Sequence, residues 1–267
     1  MAAHMALGVR MALVAGILSS LLYVAMTVLV PMQWVGYSSA SQTISELSAV
    51  GAPTRSLWVL LAACYTVLVT AFGLGIWRCA PRGHVLRIVG SSIVAYGAIG
   101  LAWPFAPMHL REVIAAGGST LSDTMHLVLA SVTVLLMLGA IAFGAAAFGT
   151  RFRAYSMASI AILVLFGALT FLDAPALSAN LPTPWLGVWE RINVGVFLLW
   201  VVVLAATLLR LQDTAPVTGR RVIAAPSRGA FVIFDVLGRA GQPKCRRLRH
   251  GILEHEDNEM MRPYEVR

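Results

Sequence analysis

Charge is what this 267-residue sequence has least of. Asp, Glu, Lys and Arg together make up 12% of it, against about a quarter of an ordinary soluble domain. Glu46 is the only acid before Glu112, and Lys244 is the only lysine. So few charges exclude a water-solvated globular domain and point to a chain solvated by lipid. Cysteine is scarce too. Cys64, Cys79 and Cys245 stand at no motif spacing, which argues against a disulfide framework or a cysteine-built zinc site. The net charge is +8, but no nucleic-acid-binding motif accompanies it. In a membrane chain such a balance reports topology and contact with anionic lipid, so membrane lipids are the expected partners and nucleic acid is not.

What the sequence does have is apolar residues, 58% of the chain. They fall into six runs, at about 9–30, 57–77, 88–105, 123–148, 156–172 and 189–209. Each has roughly the length of about 20 residues that crosses a hydrocarbon core. The runs are continuous and not alternating, which predicts helices and not a barrel. Arg10 before the first run superficially resembles a signal peptide, but the run is too long and no small-x-small cleavage site follows. The expected fold is therefore all-α, a polytopic bundle of six transmembrane helices over residues 1–210. Residues 211–267 read as a basic, largely disordered cytoplasmic tail, whose Lys244–Arg249 cluster could rest on anionic headgroups.

The charges of the membrane region sort by loop. Arg10, Arg78, Arg82, Arg87, Arg151, Arg153 and Arg210 lie at the N-terminus, in the second and fourth loops and at the start of the tail, with no acid among them. Glu46, Glu112, Asp123, Asp173 and Glu190 lie in or beside the first, third and fifth loops, with Arg55, Arg111 and Arg191. The positive-inside rule puts both termini in the cytoplasm and the acidic loops outside a cell membrane. No ionisable residue falls in the middle of a span, which counts against a proton relay or a voltage sensor. The first three spans show no residue-level inverted repeat in the last three.

The longest polar stretch of the membrane region runs from Tyr37 to Arg55, YSSASQTISELSAVGAPTR. Thr43 and Glu46 have capping-box spacing, with Thr43 as N-cap. One or two helical turns are expected, ending at Gly51 ahead of Pro53. Ser122 is a plausible N-cap for the fourth span, and Gly117–Gly118 before it reads as a flexible pair. Gly73, Gly75, Gly97 and Gly100, with Gly139 and Gly144, are expected at close helix contacts.

Polar groups collect at the outer ends of the spans: Ser45, Glu46, His109, Asp123, His126, Glu190 and Arg191. Asp123 and His126 share a helix face. Three readings compete. The cluster is structural, with Glu46, Asp123 and Glu190 serving their own helix ends and Arg191 pairing with a neighbouring acid. Alternatively it binds a lipid headgroup or small amphiphile, with Arg191 or Arg55 meeting an anionic group. In the third reading His109, His126 and Asp123 hold a catalytic metal and Glu46 or Glu190 acts as general base. No HExxH or similar spacing is present. No cofactor is expected apart from the metal of that third reading.

The loop-1 stretch, Ser122-Asp123-Thr124-Met125-His126 and Gly187-Val188-Trp189-Glu190-Arg191 together resemble bacterial six-helix membrane proteins grouped as domain of unknown function 998. The resemblance covers residues 9–209. It implies an integral membrane protein without an assigned activity, and it implies that Ser45, Glu46, Asp123, His126, Glu190 and Arg191 matter together. A looser likeness is to membrane hydrolases that use Ser, Asp and three His in a helical bundle; this chain offers two external histidines. The sequence reading therefore centres on an external polar vestibule that binds or senses a lipid-like or small amphiphilic ligand. A membrane-embedded hydrolase is the alternative, and a purely structural or partner-binding bundle the second.

Overall fold

A computed structural model describes residues 2–79 and 84–214, so the expected tail from 215 onward and Arg82 lie outside the described residues. The described chain is helical. α1 is Ala2–Leu29, α2 Arg55–Cys79, α3 His84–Gly100, α4 Arg111–Ala115, α5 Leu121–Ala147, α6 Thr150–Ser178 and α7 Leu186–Thr214. All but the short α4 are long and apolar enough to cross a membrane. The described chain is thus a multi-pass bundle of six candidate spans.

Every long helix runs past the apolar stretch that announced it at one end or both. Hydropathy marks the part that meets hydrocarbon, whereas backbone hydrogen bonding carries the helix on into the interface. α3 starts early, at His84, but stops at Gly100, and the expected end of that span becomes a separate 3-10 turn at Trp103–Phe105. Pro175 sits inside α6 instead of ending it. The helix closes at Asn180, whose left-handed φ of 53° permits a Schellman pair. There Asn180 N–H donates to the Leu177 carbonyl and Leu181 N–H to that of Ala176. The Gly117–Gly118 pair is likewise no loose hinge. Gly117 at φ 81° terminates α4, with Gly118 N–H donating back to Val113 at 2.9 Å.

The six long helices form a closed ring in chain order. α1 packs on α2, α2 on α3, α3 on α5, α5 on α6, α6 on α7, and α7 returns to α1. Glycine sets the closest approaches. A β-carbon on Gly73 would lie 2.8 Å from the Val94 nitrogen, and one on Gly90 2.8 Å from the Gly73 carbonyl, so α2 and α3 meet backbone to backbone. Gly75 meets Ala12 of α1, Gly97 and Gly100 meet Thr70 and Thr66, and Gly144 meets Trp200, all as expected of close contacts. Gly139 departs from that expectation, because its missing side chain faces nothing within 4 Å. The interior packs Phe72, Phe152, Phe197 and Trp200 with essentially no exposure. Polar bonds cross between helices there: Ser20 to the Leu198 carbonyl at 3.1 Å, Asn193 to that of Leu163 at 2.6 Å, and Trp200 to Ser156 at 3.0 Å.

Candidate functional site

Loop 1 folds over one end of the ring. Thr43 and Glu46 form the expected reciprocal pair: Glu46 Oε1 accepts from Thr43 N–H at 2.9 Å, and Thr43 Oγ1 accepts from Glu46 N–H at 3.2 Å. The helix they enclose is a single 3-10 turn, Ser45–Ser48, within the one or two turns expected but ending before Gly51. It stops because the Val50 N–H is taken by the Met108 carbonyl of loop 3 at 2.8 Å, a bond between loops that continued helix would forbid. Gly51 then turns the chain at φ 87°.

The Glu46 carboxylate is fully buried and faces Arg111, the first residue of α4. Arg111 Nη2 reaches Oε1 at 2.6 Å and Nε reaches Oε2 at 2.8 Å, a two-point ion pair. The same guanidinium donates to the Ser41 carbonyl at 3.0 Å and to the Thr183 hydroxyl of loop 5 at 3.2 Å. One ion pair therefore ties together loops 1, 3 and 5, and the hydrogen bonds of Arg111 with Glu46 tighten its hold on its own proton.

Arg191 does something else. Among the described residues it makes no ion pair with an acid. Its Nη1 donates to the carbonyls of Ser39, Gln42 and Gly187 at 2.8, 2.9 and 3.0 Å, and its Nη2 to the Tyr37 hydroxyl at 2.7 Å. Tyr37 in turn donates to the Thr43 carbonyl at 2.7 Å. Burial pushes the Tyr37 phenol up to about 12, with Arg191 opposing the shift. Gly187 lets this happen: a β-carbon there would sit 2.6 Å from the Ser39 carbonyl and collide with that of Gln42.

A second polar group forms at the start of α5. The N-cap is Thr120, not Ser122. Thr120 and Asp123 make the capping box, and the Ser122 hydroxyl instead donates to the Pro107 carbonyl at 2.6 Å. Thr120 wins because a Thr followed three residues later by Asp satisfies two orphan N–H groups reciprocally. Asp123 also accepts from His109, at 2.7 Å from its backbone N–H and 2.8 Å from Nδ1. A carboxylate only accepts, so the His109 proton sits on Nδ1. His126 is buried three residues on and donates from Nδ1 to the Ala106 carbonyl at 3.0 Å, its ring edge-on to Trp103. Both oxygens of Asp123 are engaged. Among the described residues no group of three or more His, Cys, Asp or Glu is placed to hold one metal ion.

Beneath the loop-1 turn the ring encloses a partly open cavity of about 690 Å³. Its walls are apolar along most of its depth, with Tyr65 and Tyr96 bonded hydroxyl to hydroxyl at 2.8 Å on one side. Its charged groups, Arg55 and Glu190, lie with Ser45 and Ser48 where loop 1 covers it, and Thr66, Ser131, Thr133, Thr170 and Asn193 add polar atoms along the helices. Of the seven residues singled out from sequence, only Ser45 and Glu190 line this space. They touch each other, Ser45 Oγ donating to Glu190 Oε1 at 3.3 Å, and the Ile44 N–H donates to Oε2. Glu46 and Arg191 serve the loop framework, and His109, Asp123 and His126 the α5 end.

Two important residues were missed. Arg111 was only one of three outer arginines, and nothing local marks its partner. Asn193, which also lines the cavity, did carry a signal, being the lone amide in the apolar run 189–209.

Residues 17–207 match the family described as protein of unknown function DUF998, and the chain belongs to that family. No curated protein and no solved structure matches the chain.

Proposed function

We propose that this DUF998 protein binds a lipid-like or small amphiphilic molecule in its membrane cavity, the polar end under loop 1 and the apolar part between the helices. The observation that carries this reading is a cavity apolar over most of its surface whose charged groups, Arg55 and Glu190, are at the roof. Its volume falls within the range of about 300–1,000 Å³ common to small-molecule sites. Loop 1 suits the role of a fixed roof, because Arg111 and Arg191 fasten it from two sides. In the same reading both termini are cytoplasmic and the roof faces outward from the cell membrane, following the arginine distribution. A reporter fused near Ser41 tests that orientation and reads as external.

The ligand reading is tested by purifying the protein in mild detergent and analysing its organic extract by mass spectrometry. Ala130, on the cavity wall, is replaced by Trp to fill the space. The wild type is expected to retain a stoichiometric amphiphile that the folded Ala130→Trp variant loses. Equal retention by both proteins rejects the cavity as its site.

A hydrolase remains the second reading, supported by one observation. His109 is held by Asp123 through Nδ1, the arrangement that orients an imidazole as a base. Hydrolysis of a lipid ester by the purified protein, abolished by His109→Ala, is the outcome that reading requires.

A further inference from the structure

The roof of the cavity contains a carboxylate that makes no ion pair among the described residues. Glu190 is half-buried, lines the cavity, and accepts two hydrogen bonds, from the Ile44 N–H and the Ser45 hydroxyl. Among the described residues no basic side chain forms an ion pair with it. The adjacent Arg191 spends its Nη donors on three carbonyls and a phenol. Arg55, the basic group that shares the roof, donates to the carbonyls of Ser48 and Pro104. A carboxylate has room for about four donors, so Glu190 has acceptor capacity left for whatever occupies the cavity.

The lining also includes aromatic residues, among them Tyr23, Trp58, Tyr65, Tyr96 and Trp103. Ring faces attract cations, most strongly where water is excluded. A carboxylate without an ion pair, sharing a cavity with aromatic rings and an apolar chamber, has the chemistry that receives an ammonium group attached to an apolar body.

We infer that the amphiphile of this site carries an ammonium group, which sits against Glu190 while its hydrocarbon part fills the cavity. The inference rests on the ligand reading above and adds the sign of the headgroup. An amine-bearing membrane lipid and a soluble long-chain amine share this chemistry.

The test titrates the full-length protein in phosphatidylcholine nanodiscs with dodecylamine, dodecanol and dodecanoate, with protein-free nanodiscs as the blank. Tryptophan fluorescence reports occupancy, since Trp58 and Trp103 line the cavity. Wild type is expected to bind dodecylamine at least about tenfold more tightly than dodecanol, with dodecanoate the weakest. Glu190→Gln is expected to level dodecylamine and dodecanol while leaving dodecanol binding in place. Equal binding of amine and alcohol by the wild type, or a preference for dodecanoate, overturns the ammonium inference but leaves the amphiphile reading standing. Binding of none of the three defeats both. The wild-type comparison needs no variant, so a misfolded Glu190→Gln does not rescue the idea. Adding phosphatidylethanolamine to the nanodiscs separates the sources. Competition with dodecylamine assigns the ammonium to the lipid, and its absence assigns it to a soluble amine.

Discussion

Arg111 and Glu46, 65 residues apart in sequence, grip each other at two points, 2.6 and 2.8 Å, around a carboxylate with no exposure. Removing one partner of a buried pair leaves the other charge stranded, at about 3–5 kcal/mol. Arg111→Ala is therefore expected to lower stability by about 3 kcal/mol or more in detergent unfolding. It should also open residues 38–42 to protease, since Arg111 holds the Ser41 carbonyl. Arg111→Lys keeps the charge but loses the planar fork, so it should fall between the two. Full protection from protease in Arg111→Ala would show that the pair does not hold loop 1.

Gly187 makes a second, sterically sharper prediction. Alanine there drives a β-carbon into the Ser39 and Gln42 carbonyls, which Arg191 also needs. The expected cost is about 1–3 kcal/mol, as for other overpacked sites. Gly195 lies on the same helix with nothing within 4 Å of its missing side chain. Gly195→Ala should stabilise by about 0.5–1 kcal/mol through helix propensity alone. Thermal unfolding of the two variants side by side checks both signs. Equal shifts would mean that loop 1 does not rest on α7 as described.

These two sites also show where sequence reading reaches its limit. The six spans were legible because lipid imposes a long apolar run on every crossing helix. The Thr43–Glu46 box was legible because its bonds are local and its spacing is fixed by helix geometry. The Glu46–Arg111 pair was not, because no local rule links loop 1 to the start of α4. Gly139 and Gly144 differ only in phase around α5, and composition does not say which face meets Trp200. Ser122 was the N-cap read from sequence, and the three-residue offset from Thr120 to Asp123 was the signal that marks Thr120 in its place. Convergence of the outer polar groups was legible only as a shared depth. Its division into a loop framework, an α5 cap and a cavity roof depends on tertiary contacts.

The cap of α5 can be tested directly. Thr120→Val removes the oxygen that accepts the Ser122 N–H at 3.2 Å, while Thr120→Ser keeps it. Losing an N-cap oxygen costs about 1 kcal/mol. Val is expected to lower the unfolding midpoint and Ser to leave it nearly unchanged. A double-mutant cycle of His109→Ala with Asp123→Ala should add a coupling of about 1 kcal/mol or more, because the imidazole and the carboxylate bond directly. Zero coupling would remove Asp123 as the anchor of His109.

Tyr37 links the loop framework to pH. Its phenol is raised from 10.0 to about 12 in the folded protein, chiefly by burial. Between these values the unfolded chain has lost the proton and the folded chain still holds it. Folding then binds a proton, and stability falls as pH rises through that window. Below pH 10 the contribution is fully present. Tyr37→Phe cannot ionise, and it also loses the bonds to Arg191 and to the Thr43 carbonyl. The variant should therefore be less stable than the wild type near neutrality, by about 1–3 kcal/mol for hydrogen bonds that include a charged donor. The gap should narrow as pH rises from 10 to 12. Other tyrosines titrate in both proteins, so the difference between the two unfolding curves isolates this one. A gap that stays constant across the window would mean that the Tyr37 phenol ionises equally in the folded and unfolded chains.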